Sequence, residues 1–340
     1  MRNRKIPLAL VTAAALAAVA PHGAKAADPV SLKFASPAPP MSQVNTWGIT
    51  PWIEDVQKAA GGNLEIKLFP GPALATFDSA YDRTINGVTE LSFGVFGPYA
   101  GQFKGTDVAS LPYMTDSDVE ASVALWRLVG SGLIAGEFSR VHPLALFTFP
   151  SSGIHTNKEI KTSDDLKGLK VGVFSRQGAH ELELLNATPI TMTPSDAYQS
   201  QQRGLINATM VGWSAVLPFK LHEVTTFHLE ASLGQAPAFI FMNKEAYAKL
   251  ADADKKALDR FSYEALSRKM GDVTDRQDDL GRTTVGKIPS HKVYKLSADE
   301  SAKWEAKLRP MIDEYVAQTP NGAAILAAFR KEILAVRAGK

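Results

Sequence analysis

An α/β fold is what this 340-residue chain predicts, and three observations predict it. Residues 30–95 run strand–helix–strand–helix–strand, with each strand closed by a Pro-, Gly- or Ser-containing turn. Residues 162–230 repeat that order without repeating the sequence, which is an architectural echo rather than an internal repeat. Hydrophobic residues make up 45% and charged residues 21%, ordinary for a globular chain, and the length suits two domains.

Met1-Arg-Asn-Arg-Lys5 is positive, residues 6–20 are apolar, and Ala24-Lys25-Ala26 is a small-residue cleavage site. This pattern predicts a signal peptide over residues 1–26, cleaved after Ala26. The apolar run is short for a membrane span. The product is therefore expected in the periplasm and not embedded in a membrane. Cleavage removes four of the 37 Lys and Arg and none of the 35 Asp and Glu, leaving a net charge of −2. With no basic cluster left, nucleic acid is excluded as a partner. The chain has no cysteine. It must hold together by its core alone, and it has no thiol to carry a lipid at the cleavage site.

In the first unit, strands are predicted at 30–35, 64–69 and 90–95, with helices at 47–59 and 77–87. A helix over 118–130 and an apolar strand over 144–149 follow. Pro150-Ser151-Ser152-Gly153 breaks that strand, and Ile154-His155-Thr156 resumes it as a crossing between domains. The second unit places strands at 169–174, 188–192 and 206–211, and residues 229–242 are read as crossing back. Leu258, Phe261, Leu266, Met270 and Val273 mark a long helix over 257–286. It loses its apolar face half-way, as a helix running between two lobes would. A last strand falls at 292–295. Ser297 with Glu300 then opens the final helices as a capping box.

No catalytic pattern stands out. G-x-S-x-G, H-E-x-x-H and G-x-x-x-x-G-K-[ST] are absent. Gly130-Ser131-Gly132-Leu133-Ile134-Ala135 fits G-x-G-x-x-A in letters, but it follows a helical pattern and lacks the strand that a phosphate cradle needs. The histidines show no metal-ligand spacing. Asp164-Asp165 and Asp278-Asp279 are adjacent pairs whose side chains diverge, so they read as caps and solvated faces. No catalytic residue, metal or cofactor is assigned.

Three runs resemble a known family. They are DLKGLKV (165–171), NATPITMTPSDAYQSQQRGLI (186–206) and LPFKLHEVTTFHLE (217–230). They are similar to the DLKGLK-x-R, LGATPV-x-M and K-x-x-E-V-x-K-Y-H segments of the solute-binding proteins of TRAP transporters, the DctP family. LKFASPAPP, GGNLEIKLFPGPAL, INGVTELSFGVFGPYAGQFKGTDVASLP and ASVALWRLVGSGL extend the resemblance over nearly all of the mature chain. It implies a two-lobed periplasmic binding protein of type II-like architecture, with crossing strands and a long helix spanning both lobes. The first lobe is expected over 27–151 plus about 240–285, the second over 152–239 plus about 286–340. The implied function is capture of a small organic acid and its delivery to TRAP membrane permease subunits. An exported sensor or scavenger of the same fold, or an exported enzyme, are the alternatives.

The departures from the family pattern bear on the ligand. The residue after DLKGLK-x, usually an arginine that clamps a carboxylate, is Gly172. A second family arginine falls near Ser152 and is also missing. Arg176, four residues beyond Gly172, is the candidate replacement, and Ser152 and His155 are candidate hydrogen-bonding groups on the crossing strand. Phe174, Trp213, Phe96 and Tyr99 lie at strand ends, where ligands sit in such sheets, and are expected to line an apolar, aromatic cleft.

Overall fold

The computed structural model describes residues 29–340 apart from Ala100 and Asp116. The expected signal peptide lies outside the described residues. The strands form two sheets. The first holds β1 (Val30–Ser36), β2 (Leu64–Pro70), β3 (Leu91–Val95), β4 (Val141–Phe149) and β10 (Ala236–Asn243), in the order β2-β1-β3-β10-β4. The second holds β5 (Gly153–Thr156), β6 (Lys170–Val173), β7 (Thr188–Thr191), β8 (Ala208–Val211), β9 (Phe227–Glu230) and β11 (Lys292–Lys295), in the order β11-β9-β5-β8-β6-β7.

Each βαβαβ unit supplies three mutually parallel strands: β1 lies between β2 and β3, and β6 between β7 and β8. The return strands run the other way. β10 pairs antiparallel with β3 and β4, and β5 pairs antiparallel with β8 and β9. Parallel strands buried on both faces need continuous apolar side chains. Phe34, Leu91, Phe93 and Phe147 are at most 1% exposed. Val171, Val173, Ala208 and Met210 fill the same role in the second sheet.

β4 continues into β5 through Pro150–Ser152, and β9 into β10 through Ala231–Gln235. The two passages run side by side, with the Ser151 hydroxyl donating to the Leu233 carbonyl and the Ser152 N–H to the Gly234 carbonyl at 3.4 Å. The third link is a helix over Tyr263–Gly286. Its first half packs on β4 and on the helix Asp118–Gly130, and its second half reaches Trp213–Val216 of the second lobe. Gly271 and Gly281 allow these approaches: a Cβ at either would meet the Asp118 or Trp213 carbonyl oxygen within 2.8 Å.

The expected helix over 257–286 is two helices. Asp252–Arg260 stops at Phe261, and Ser262 and a left-handed Tyr263 restart the chain at a new angle. The apolar positions continue across the break because both helices pack on the same lobe, so periodicity alone does not reveal it. The chain end divides between the lobes. β11 joins the second sheet, whereas Gly322–Arg337 lays Ile325, Phe329 and Ile333 against Asp118–Gly130 of the first lobe. The expected division had assigned 286–340 to the second lobe as a whole.

Candidate ligand-binding cleft

The carboxyl ends of β1, β3, β4, β6 and β8 converge on one space between the lobes, as the parallel topology requires. The space enclosed is about 120 Å³. One wall is aromatic: Phe149, Phe93, Phe77 and Phe219 form a chain of ring contacts with centroids 6.1, 6.1 and 6.3 Å apart. Phe174 faces the cleft from the end of β6. The polar lining includes Ser42, Ser110, Ser152, Ser175, Gln177, Ser214, Gln235 and Gln277. Among the described residues, none that lines the cleft is Lys, Arg or His.

Asp107 and Glu181 are the ionisable groups on the lining. Burial pushes the Glu181 carboxyl up to about 8, against the opposing pull of the Gly234 N–H, which donates to Oε1 at 2.8 Å. Burial and the neighbouring Glu137 push Asp107 up to about 7. Glu181 is therefore mostly protonated at neutral pH and acts there as a hydroxyl donor as well as an acceptor. The Gln177 amide donates to Asp107 across the two lobes. The lobes also touch at Gly97, where a Cβ would lie 2.3 Å from the Phe174 carbonyl oxygen. This is a closed arrangement.

Of the residues expected at the site, Phe174 and Ser152 line the cleft. Arg176 does not. It is exposed at the start of the helix Arg176–Leu184 and faces a neighbouring groove with Lys104, His180 and Glu314. Gly172 does not leave room for a ligand either. The position of its missing side chain is occupied by Ile206 at 2.8 Å and Met192 at 3.3 Å.

Trp213 is 4% exposed and turned into the second lobe. Its Nε1–H donates to Glu230 at 3.0 Å, and its ring lies 5.0 Å from His155. His155 is fully buried, with Nε2 3.0 Å from the Val211 carbonyl and Nδ1 2.8 Å from His228 Nδ1. Phe96 and Tyr99 sit in the first lobe's aromatic core. Phe96 packs 4.7 Å from Phe103, and the Tyr99 hydroxyl accepts from the Tyr81 N–H. The reason is common to these four. A residue past a strand end, or like His155 within a strand, can face the cleft or turn back under the sheet, and hydrogen-bonding partners under the sheet hold Tyr99, His155 and Trp213 there, as ring packing holds Phe96.

Phe77, Phe93, Phe149, Phe219, Gln235, Gln277 and Glu181 also line the cleft and were not singled out from the sequence. Phe93 and Phe149 carried a signal, since both lie near the carboxyl ends of recognised strands. Gln277 lay on the polar half of the long helix, which reads as solvent-facing until the second lobe is seen to cover it.

The model of the bacterial extracellular solute-binding protein family 7, DctP, matches residues 35–319. The chain belongs to this family. A C4-dicarboxylate-binding periplasmic protein, DctP, of Rhodobacter capsulatus is 24% identical over 97% of this chain and 98% of its own length. A TRAP solute-binding protein from Rhodoferax ferrireducens, solved with copurified benzoate, superposes with a TM-score of 0.87 at 28% identity, covering 92% of this chain and all of that one. A marine metagenome TRAP solute-binding protein specific for aromatic acid ligands, solved with 3-hydroxybenzoate, gives a TM-score of 0.86 at 27% identity, covering 90% and 98%. Family 7 membership accounts for the two lobes, the paired crossings and the spanning helix. Among the described residues no group of three or more His, Cys, Asp and Glu is placed to hold a metal, and no helix is long and apolar enough to cross a membrane.

Proposed function

We propose that this chain is the extracytoplasmic solute-binding subunit of a TRAP-type transporter and that its ligand is a small organic acid built on one aromatic ring. The observation that carries the reading is the cleft itself: a phenyl-lined space of about 120 Å³ between two lobes. A cavity of about 150 Å³ accommodates benzene, so the space matches a single ring. The solved relatives that hold benzoate and 3-hydroxybenzoate support the same class.

The acid end needs hydrogen-bond donors, and the lining supplies neutral ones. These are the serine hydroxyls and protonated Glu181, next to the positive N-terminal end of the helix Arg176–Leu184, whose Gly178 N–H is already taken by the Ser175 hydroxyl. Binding is capture and closure, with ligand favouring the state in which Gly97 meets Phe174. The bound molecule leaves chemically unchanged and passes to membrane permease subunits, and the protein works in the periplasm after loss of residues 1–26.

Calorimetric titration of the purified protein with benzoate, hydroxybenzoates, phenylacetate and C4-dicarboxylates tests this. The aromatic acids are expected to bind and to be recovered intact, and the dicarboxylates to bind at least about a hundredfold more weakly, having no ring for the phenyl wall. Preference for a dicarboxylate, or conversion of any ligand, would sink the reading.

A further inference from the structure

The polar groups on the cleft divide into those with partners and those without. Ser42 Oγ, Gln235 Oε1 and Gln277 Oε1 have no hydrogen-bond partner. All three residues line the cleft, and they are 3%, 4% and 4% exposed. Buried polar atoms in folded proteins are almost always paired, so three orphans beside one space are groups that a ligand can complete as their side chains turn toward it.

The amide orientations follow from their neighbours. Gln277 donates through Nε2 to the Ser214 carbonyl at 2.6 Å, and a carbonyl only accepts. Gln235 donates through Nε2 to Asp118 Oδ1 at 2.7 Å, an oxygen that also accepts from Thr148. What each glutamine leaves over is therefore a carbonyl oxygen, an acceptor only. They come from separate elements, Gln235 from the crossing passage and Gln277 from the spanning helix, so no single local turn explains both.

We propose that the cleft selects a ring substituted with an O–H or N–H donor, which Gln235 and Gln277 accept. Resting on the aromatic-acid reading above, this narrows the ligand to a hydroxy- or amino-substituted aromatic acid in preference to the unsubstituted acid. A bare carboxylate and phenyl ring leave both carbonyl oxygens unpaired on closure. Loss of such a pairing is how a polar site rejects an analogue.

The test is calorimetric titration of the wild-type protein and of Gln277→Met with benzoate, 3-hydroxybenzoate, 4-hydroxybenzoate and 3-aminobenzoate. Gln235 is left alone because its amide also partners buried Asp118. At least one donor-bearing acid is expected to bind wild type about tenfold or more tighter than benzoate. Gln277→Met is expected to shrink that ratio, whatever it does to benzoate affinity itself. Equal wild-type affinities for benzoate and every substituted acid would overturn the inference and leave the aromatic-acid reading standing. Failure of all four to bind would overturn both. The wild-type comparison decides even if the variant does not fold.

Discussion

Two polar clusters lie near the end of β8, and they differ in one respect. Behind the strand, His155 Nε2 donates to the Val211 carbonyl, which leaves its Nδ1 to accept from His228 Nδ1–H. His228 Nε2 in turn accepts from His291 Nδ1–H at 2.9 Å. Trp213 packs edge-on against His155 and tilted against His228, and bonds to Glu230, which Arg282 holds at 2.8 Å. These contacts fix a tautomer for each inner histidine. In front of the strand, Gln235, Gln277 and Ser42 are equally buried and each keeps an unpaired atom. The same burial thus yields a satisfied network on one side and an incomplete one on the other. A completed network holds the lobe together; an incomplete one is finished by a ligand.

The largest effect that separates the two sides is expected at Trp213. Trp213→Ala removes a buried indole and leaves Glu230 with Arg282 as its remaining partner. It should cost about 3–5 kcal/mol, read as a lowered denaturation midpoint. A Trp213→Ala protein of unchanged stability but lost ligand affinity would move Trp213 from the structural side to the binding side.

The next effect belongs to closure. Gly97→Val places carbon against the Phe174 carbonyl, a backbone atom that cannot swing away. Ligand affinity is expected to fall about tenfold to a hundredfold, since only the closed state makes both sets of contacts. The midpoint without ligand should hardly move. Unchanged affinity would mean that binding does not need this contact.

Acid and base distinguish the clusters by sign. Burial lowers His155 from 6.5 to about 4, so below pH 6.5 the unfolded chain takes up a proton that the folded chain refuses, and stability falls. Glu181 is raised from 4.5 to about 8, so its contribution is full below 4.5 and is lost as pH rises toward 8. Between pH 7 and 5 the two oppose each other. Glu181→Gln deletes one of them. The stability gap between wild type and Glu181→Gln should therefore shift in favour of wild type by about 2 kcal/mol on going from pH 7 to pH 5. In binding, affinity for an acid should drop as pH rises through about 8 in wild type, where Glu181 becomes an anion, and stay level in Glu181→Gln. Parallel pH curves for the two proteins would remove Glu181 from the cleft's titration.

The fold was legible because it rests on local pattern: apolar runs of strand length, Pro-Gly stops and helical spacing around Leu266 and Met270. The cleft was legible as a place, through the strand ends, and as a character, aromatic and without the two usual family arginines. Its individual residues were less so. Phe174 and Ser152 line the cleft as expected from their places beside a strand end and a chain break. His155, Trp213, Phe96 and Tyr99 were misplaced because partners distant in sequence, namely His228, Glu230, Phe239 and Tyr81, turn them inward, and no local signal reports those partners. Gln235 and Gln277 were missed for the converse reason: a glutamine in a polar stretch reads as surface until another lobe covers it.

Arg176 gives the smallest expected effect and the sharpest check on how an acid is held. The sequence offers it as a replacement clamp, since a guanidinium matches a carboxylate in two bonds. In the folded chain it points to the outer groove, and its influence on the cleft is a weak pull on Asp107 through charge. Arg176→Ala should change affinity for an aromatic acid by less than about twofold, because an exposed charge acting at a distance is screened by solvent. A loss of about a hundredfold would instead match a direct charged contact. It would mean that Arg176 swings inward when ligand enters, and that the cation-free cleft acquires its clamp only in the bound state.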